Sequence, residues 1–413
     1  MKRKPFILIL IPFALSGQST DTVSLWDCFH SAVTNYPLYR QKDLNADMLK
    51  YHQSNILKSW YPDISLDGQA TYQSDVVGFG SFAAPHDQYK LTLDISQQLY
   101  DGGFSKNRKE IENSNLNIKQ QQIELDFHNV KQQVSSVFFL INLIRKNIEL
   151  VTLTHEELNE RLKTLLVAIK NGVILPENEY VLRAEILKIE QQNDELHYKL
   201  AAAMDVLGKI TGLVIKPDAA FDIPVNVEIH DSIAERPEIQ LFEFQKMLID
   251  NNISLSKCTT RPKLFIFTQA GYGKPGLNML DDEFDTYYIV GAGMKWNLID
   301  WGENRNTQKI GNLQKDAIDM NKNHFNRNIL VALRNELATV EYYQSSVIKD
   351  EKMIELKHKI KESAYSQFIN GIITATEYLV EVNAELHARL QLESHRIFMV
   401  QSIVNYQLIK GDI

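Results

Sequence analysis

The sequence predicts a mainly α-helical protein, built as a tandem duplication of long coiled-coil helices with one β-hairpin in each copy. Three observations carry this prediction. The stretch Phe104–Lys170 contains neither proline nor glycine and keeps a heptad seam along most of its length. Ahead of it, two segments switch to strict alternation of apolar and polar residues. The same punctuation then recurs about 200 positions later.

In the long stretch, Phe127, Val130, Val134, Val137, Ile141, Ile144, Ile148 and Val151 alternate steps of three and four. Leu158, Leu162, Leu165 and Ile169 continue the register, with His155 the one polar intruder. Such a seam packs a helix lengthwise against others. At about 1.5 Å per residue the helix is roughly 100 Å long. That is about three times the hydrocarbon thickness of a bilayer.

The chain of 413 residues has room for more than one domain. It opens with Met1-Lys2-Arg3-Lys4, continues apolar from Pro5 to Leu15 and reaches Ala14, Ser16 and Gly17. Basic, apolar, then small is the pattern of a secretory signal, assigned here to residues 1–17. The competing reading, a membrane anchor, asks for a longer apolar run. No Cys follows that run, which disfavours a lipoprotein. With 44 Lys and Arg against 52 Asp and Glu, the chain is acidic, and a signal peptide would take three cations with it. Nucleic acid is therefore disfavoured as a partner. Cys28 and Cys258 are the two cysteines, and the sequence leaves their pairing open. No other apolar run reaches eighteen residues, so an exported chain of this kind is soluble or crosses a membrane as a β-barrel.

The mature chain starts with a helical stretch, Ser24–Trp60, interrupted at Pro37. Ile64, Leu66, Gly68, Ala70 and Tyr72 then share one face, against Asp63, Ser65, Asp67, Gln69, Thr71 and Gln73 on the other. After a loop with Gly78, Gly80 and Pro85, Tyr89, Leu91, Leu93, Ile95 and Leu99 oppose Lys90, Thr92, Asp94, Ser96 and Gln98. These are the two strands of a hairpin. Asp101-Gly102-Gly103 ends it and the long helix begins. Asn171-Gly172 is a left-handed helix stop, Pro176 suits a first helical turn, and Glu177–Gly212 returns as a helix. Residues 18–212 form the first repeat, and residues 213–232, with Pro217 and Pro224, read as a linker.

Residues 233–413 repeat the plan. Asn35-Tyr36-Pro37 corresponds to Glu235-Arg236-Pro237, and Trp60-Tyr61-Pro62 to Thr260-Arg261-Pro262. Asp101 matches Asp300, Asn171-Gly172 matches Asn370-Gly371, and Gly212 matches Gly411. Between the markers, Leu264, Ile266, Ala270 and Tyr272 alternate in one strand, and Tyr288, Val290, Ala292, Met294, Trp296 and Leu298 in another. The second long helix, Glu303–Ile369, has a less regular seam of Ile329, Leu333, Leu337, Val340, Val347 and Ile354. In each half two shorter helices, stacked end to end, come to about the length of the long one. The expected protomer is a helical rod with strands at one end and two helix-turn-helix tips at the other.

Four isolated strands would leave open edges and an exposed apolar face. Their length, alternation and polar second face suit the wall of a membrane barrel. Tyr72, Tyr89, Tyr272, Tyr287, Tyr288, Trp296 and Trp301 lie near the strand ends, where an aromatic girdle would sit. The competing reading is a soluble sheet under a cover, for which the chain has no spare helix. Four strands are too few for a water-filled barrel, so several protomers must share one.

The plan resembles the TolC family of outer-membrane efflux proteins. The markers Asn35-Tyr36-Pro37, Arg236-Pro237-Glu238, Tyr100-Asp101-Gly102-Gly103, Asn171-Gly172-Val173 and Asn370-Gly371-Ile372 carry the resemblance, which spans the mature chain. It implies a homotrimer whose helices form an α-barrel tunnel in the periplasm, continued by a shared 12-stranded β-barrel in the outer-membrane lipid. It also implies partners: a periplasmic adaptor (membrane fusion) protein and an inner-membrane transporter. The function it implies is an export duct for efflux or type I secretion. The competing function is a soluble periplasmic coiled-coil structural or adaptor protein.

No catalytic, cofactor or metal constellation emerges. His387 and His395 are separated by eight positions without a third ligand nearby, and Gly271-Tyr272-Gly273-Lys274 matches no nucleotide motif. Candidate functional residues sit at the tips. Asn171, Gly172, Asn370 and Gly371 are the turns an adaptor would engage, although a glycine at a helix stop is required with or without a partner. Glu377 matches an acidic position at the family's entrance, with Glu381 one turn on. Thr374-Ala375-Thr376-Glu377 is also a capping box, a role compatible with the first. Phe368 and Ile373 match positions that hold a Tyr and an Arg in the family's closed-gate network. The expectation is therefore a gate closed by apolar contact among tips.

Overall fold

The computed structural model describes residues 20–79, 82–224, 236–279 and 281–413. The expected signal at residues 1–17 and the end of the expected linker lie outside them. In chain order the elements are β1 (Thr20–Ser24), α1 (Leu25–Asn35), α2 (Pro37–Lys58), β2 (Asp63–Tyr72), β3 (Gly78–Phe79), β4 (Phe82–Ala83), β5 (Asp87–Tyr100), α3 (Phe104–Lys170) and α4 (Glu177–Thr211). There follow β6 (Ile215–Asp222), α5 (Pro237–Lys257), a 3₁₀ turn (Cys258–Thr260), β7 (Lys263–Lys274), β8 (Asp285–Lys295), α6 (Glu303–Ile369) and α7 (Ala375–Lys410). Both long helices have 67 residues. None of the described helices is long and apolar enough to cross a membrane.

Local chemistry sets the breaks. Tyr36 takes an extended conformation ahead of Pro37, as a residue before proline must, and Pro37 opens α2 where its missing N–H costs nothing. Both long helices start on an aspartate. Asp101 Oδ1 accepts from the Gly103 N–H (2.8 Å) and its Oδ2 from Ser105 (2.6 Å). Asp300 repeats this with Gly302 and Asn304, both at 3.1 Å. These backbone donors hold the Asp300 carboxyl below its ordinary value. The turns need left-handed backbone. Gly102 and Gly103 supply it at φ 70° and 89°, but the second copy puts Trp301 (φ 52°) in the first slot.

The chain divides into two units. One consists of Arg40–Glu124 and Pro237–Phe325. Its centre is a four-stranded sheet in the order β2-β5-β7-β8, antiparallel throughout. The alternation read from sequence appears as two chemically distinct faces. Ile64, Leu66, Leu91, Leu93, Ile266, Val290 and Met294 stand exposed on one face, and Asp63, Asp67, Lys90, Thr92 and Asp94 belong to the other. Trp296 and Leu298 lie past the end of β8. The indole N–H of Trp296 donates to the Thr260 carbonyl at 2.9 Å. The helices of this unit are joined by polar contacts: Gln53 to Asn113 (2.8 Å), Asn251 to Ser114 (2.9 Å), Lys246 to Asp319 (2.9 Å) and Lys322 to Glu243 (2.7 Å). No residue of α5 is buried.

The other unit consists of Met1–Tyr39, Leu125–Arg236 and Asn326–Ile413. Here most of the α3 seam is packed, with Val134, Ile141, Val151, Leu158 and Leu165 inaccessible and Val137, Ile148 and Ile169 half-buried. His155 finds Glu190 of α4 at 3.0 Å. The α6 seam is half-buried, which accords with its weaker pattern. The expected linker contains β6, which pairs in parallel with β1 and buries Ala219 against Val23 and Phe138 in the same core. Pro217 hides this strand from sequence pattern. Cys28 and Cys258 are both buried free thiols, and burial pushes the Cys28 thiol up to about 12.

Candidate functional site

The two helix-turn-helix tips lie in the same unit. Gly172 follows the end of α3 and Gly371 the end of α6, both at φ 75°. At the first, the Gly172 N–H reaches the Ile169 carbonyl (2.9 Å) and Val173 reaches Ala168 (3.0 Å). At the second, Gly371 reaches Phe368 and Ile372 reaches Gln367, both at 2.9 Å. These paired bonds are Schellman stops, which satisfy the last carbonyls of each helix. Asn370 adds a side-chain bond to Ser366 O at 2.7 Å. The residues just past the glycines, Val173 and Ile372, are exposed, as is Leu175. The tips are tied together where Asn178 Oδ1 accepts the Ala375 N–H at 3.0 Å.

Glu377 forms the capping box that the sequence suggests. Its N–H donates to Thr374 Oγ1 (3.2 Å), and its carboxylate accepts from the Thr374 N–H (2.8 Å). Those bonds hold its pKa below the ordinary value. Glu381 pairs with Lys357 at 3.4 Å. The two acids therefore differ: Glu377 is exposed on the first turn of α7, while Glu381 is partly neutralised by α6.

Phe368 and Ile373 separate as well. Phe368 is buried inside its own chain and stacks on Tyr378, with centroids 5.4 Å apart and planes within 3°. Its ring has no free surface to offer a neighbouring tip. Ile373 is half-buried at the margin of the same core. Burial pushes the Tyr378 phenol well up, and its Oη has no hydrogen-bond partner.

Above the turns lies a buried ionic cluster that sequence reasoning missed. Lys361 Nζ of α6 sits 2.7 and 2.8 Å from the two Glu157 oxygens of α3, and 2.8 Å from Glu385 Oε2 of α7. Glu385 also accepts from Arg389 (2.5 and 2.9 Å) and faces His358 at 3.2 Å. Arg161 bridges Glu157 (3.4 Å) and Glu362 (3.0 Å) and lies over the Tyr365 ring at 3.7 Å. Burial alone would raise the Glu385 carboxyl, but the bonds from Lys361 and Arg389 override it and hold it low. A signal was available. Lys361 stands midway between Ile354 and Phe368 at heptad spacing, and Glu385 midway between Tyr378 and Leu392. Opposite charges inside two apolar seams mark a buried pair that fixes register.

Among the described residues no cluster of three His, Cys, Asp or Glu could hold a metal. His395 pairs with Asp350 at 2.6 Å and packs on Tyr343.

Residues 57–212 match the family model described as outer membrane efflux protein. Curated protein sequences gave no match. Among solved structures, the CusC crystal structures align with a TM-score of 0.73 at 15% identity, covering 94% of this chain and 93% of that one. The Campylobacter jejuni CmeC outer membrane channel aligns at 0.69 and 15% identity, covering 94% and 85%. The outer membrane protein VceC from Vibrio cholerae aligns at 0.66 and 14%, covering 94% and 96%. At such identities the shared property is the fold. A family-model match over residues 57–212 and a fold shared along 94% of the chain with these outer-membrane channel structures bear out the resemblance carried by the sequence markers.

Proposed function

We propose that this chain is one third of a homotrimeric duct in the cell outer membrane, with its helical part in the periplasm. The observation that carries the reading is the sheet. It has four long antiparallel strands, an exposed apolar face, a polar opposite face, and β2 and β8 left as unpaired edges. Open edges of this length demand a partner strand. Pairing β8 of one copy with β2 of the next is a head-to-tail contact that closes under threefold rotation, giving twelve strands with apolar residues toward lipid and polar ones toward water. Tyr72, Tyr288 and Trp301, all strongly exposed, suit the interfacial girdle of such a barrel. The poorly buried helices of the same unit would be covered by the neighbouring copies.

In this reading the chain supplies a path and no energy. An inner-membrane transporter drives export, and a periplasmic adaptor docks at the tips. Asn171-Gly172 and Asn370-Gly371 present exposed Val173 and Ile372 at equivalent places in the two repeats, which gives an adaptor two similar apolar footholds. Glu377, exposed at the start of α7, would form a ring of three carboxylates at the entrance and favour cations; Ile373 and Glu381 would stand behind it. The test is fractionation followed by planar-bilayer recording of the purified protein. Recovery in the outer membrane as a trimer that conducts is the expected result; recovery as a soluble periplasmic protein would sink the reading. V173D/I372D should abolish co-purification of the adaptor while leaving the trimer intact.

A further inference from the structure

We infer that the second hairpin carries, on the polar face of the sheet, a contact strip for planar aromatic cations in transit. The inference rests on the duct reading, in which that face lines the bore. On β2 and β5 the face is hydrophilic throughout, running through Asp63, Ser65, Asp67, Gln69 and Thr71 and their partners Ser96 to Gln88. On β7 and β8 its character changes. Phe265, Phe267 and Tyr287 occupy it, and each stands directly opposite a glycine: Gly293, Gly291 and Gly271 respectively. A Cβ at any of these glycines would fall under 3.0 Å from the facing ring. Each ring thus lies folded over its glycine, one broad side against the backbone. The Phe265 and Phe267 centroids are 6.2 Å apart.

Glycine opposite an aromatic ring is a known way to pack a sheet. Here it is used three times on the water-facing side, where the first hairpin uses none. The rings form a flat apolar track and do not narrow the bore as upright side chains would. Charge adds direction to the track. The neighbouring strands bring Asp63, Asp67 and Asp94 to this face against the single ammonium of Lys90. Asp94 touches the strip's own strand, since its Oδ1 accepts from Gln269 at 2.5 Å. Lys263 and Lys295 stand at the helical end of the strip and Asp285 at the other. Ring faces attract cations and stack on flat aromatic systems, and the carboxylates alongside favour the same charge. A planar aromatic cation satisfies both features.

The experiment is single-channel recording in planar bilayers, with ethidium or the non-aromatic tetrapropylammonium added to the bath. Wild type should show ethidium interruptions about fivefold longer than those of tetrapropylammonium, a ratio in keeping with one stacked ring. F265L/F267L should lose that excess, F265Y/F267Y should keep it, and D67N/D94N should shorten it. Equal dwell for the two cations in a conducting wild-type channel would overturn the strip alone. Failure of wild type to conduct at all would overturn the duct reading and the strip with it. If F265L/F267L does not assemble, unchanged ethidium dwell in D67N/D94N is the overturning result.

Discussion

Replacing Lys361 with methionine should loosen the tips without disturbing the sheet. Lys361 is almost fully buried and makes three contacts of 2.7–2.8 Å to two carboxylates on two other helices. Removing one partner of a buried pair typically costs about 3–5 kcal/mol, because the remaining charge stays desolvated. Here Glu157 keeps Arg161 at 3.4 Å and Glu385 keeps Arg389 at 2.5 Å. The loss therefore falls at the lower end, about 3 kcal/mol, or roughly two orders of magnitude in amide protection. Hydrogen exchange over residues 355–390, compared with the strands, measures it locally. The neutral triple variant E157Q/K361M/E385Q should recover most of the loss. A change below about fivefold in K361M, or no recovery in the triple, would refute the reasoning. The cluster also sets a pH dependence. Glu385 has a folded value below its ordinary 4.5, so its contribution is complete above 4.5 and is lost as pH falls through the lower folded value. Tip protection should be flat from neutral pH to about 5 and decline only below the carboxylate range.

Phe368→Ala should destabilise the tip core by about 3–5 kcal/mol, as loss of a buried ring does, read by the same exchange experiment; an unchanged core would show that the ring works between copies instead. Tyr378→Phe should be neutral or stabilising by up to about 1 kcal/mol, since it removes a buried hydroxyl without a partner; a marked loss of protection would reveal a bond to that oxygen. Gly172→Ala and Gly371→Ala should each cost about 1–2 kcal/mol, because both sit at φ 75°, and should fray the last turns of α3 and α6 alone. Trp301→Gly should raise the melting temperature by relieving a left-handed bulky residue worth about 1 kcal/mol, and a drop would mean that the exposed indole contributes more than its backbone costs.

The parts of this fold that were legible in the sequence are those with a period. The bounds of α3 and α6, the two hairpins and the duplicated stops all follow from spacing and from glycine or proline at fixed places. The β1–β6 pair was not legible, because five residues against eight, one of them Pro217, carry no readable alternation. The site divides along the same line. Gly172 and Gly371 need positive φ, and Glu377 needs its Thr374 partner; both are local facts. The heptad places of Lys361 and Glu385 hint at a buried pair, but the partnership of Lys361 with Glu157 depends on which helix packs on which, and a separation of 204 residues hides it. Phe368 shows a different limit: the resemblance places it at a gate position, and only the structure shows its ring packed on Tyr378 inside its own chain.

The helix α5, none of whose residues is more than half-buried within its own chain, bears on how the protein comes into being. A helix draws most of its stability from packing of its apolar face rather than from propensity, and polar tethers such as Lys246–Asp319 contribute little when exposed. In the proposed trimer the missing contacts would come from other copies, and consolidation of this region would be an encounter between chains. Its rate would then depend steeply on protomer concentration, with a lone protomer presenting exposed helices and open strand edges. On the duct reading, the lifetime of that open form joins the stability of the finished barrel in setting the yield of assembly.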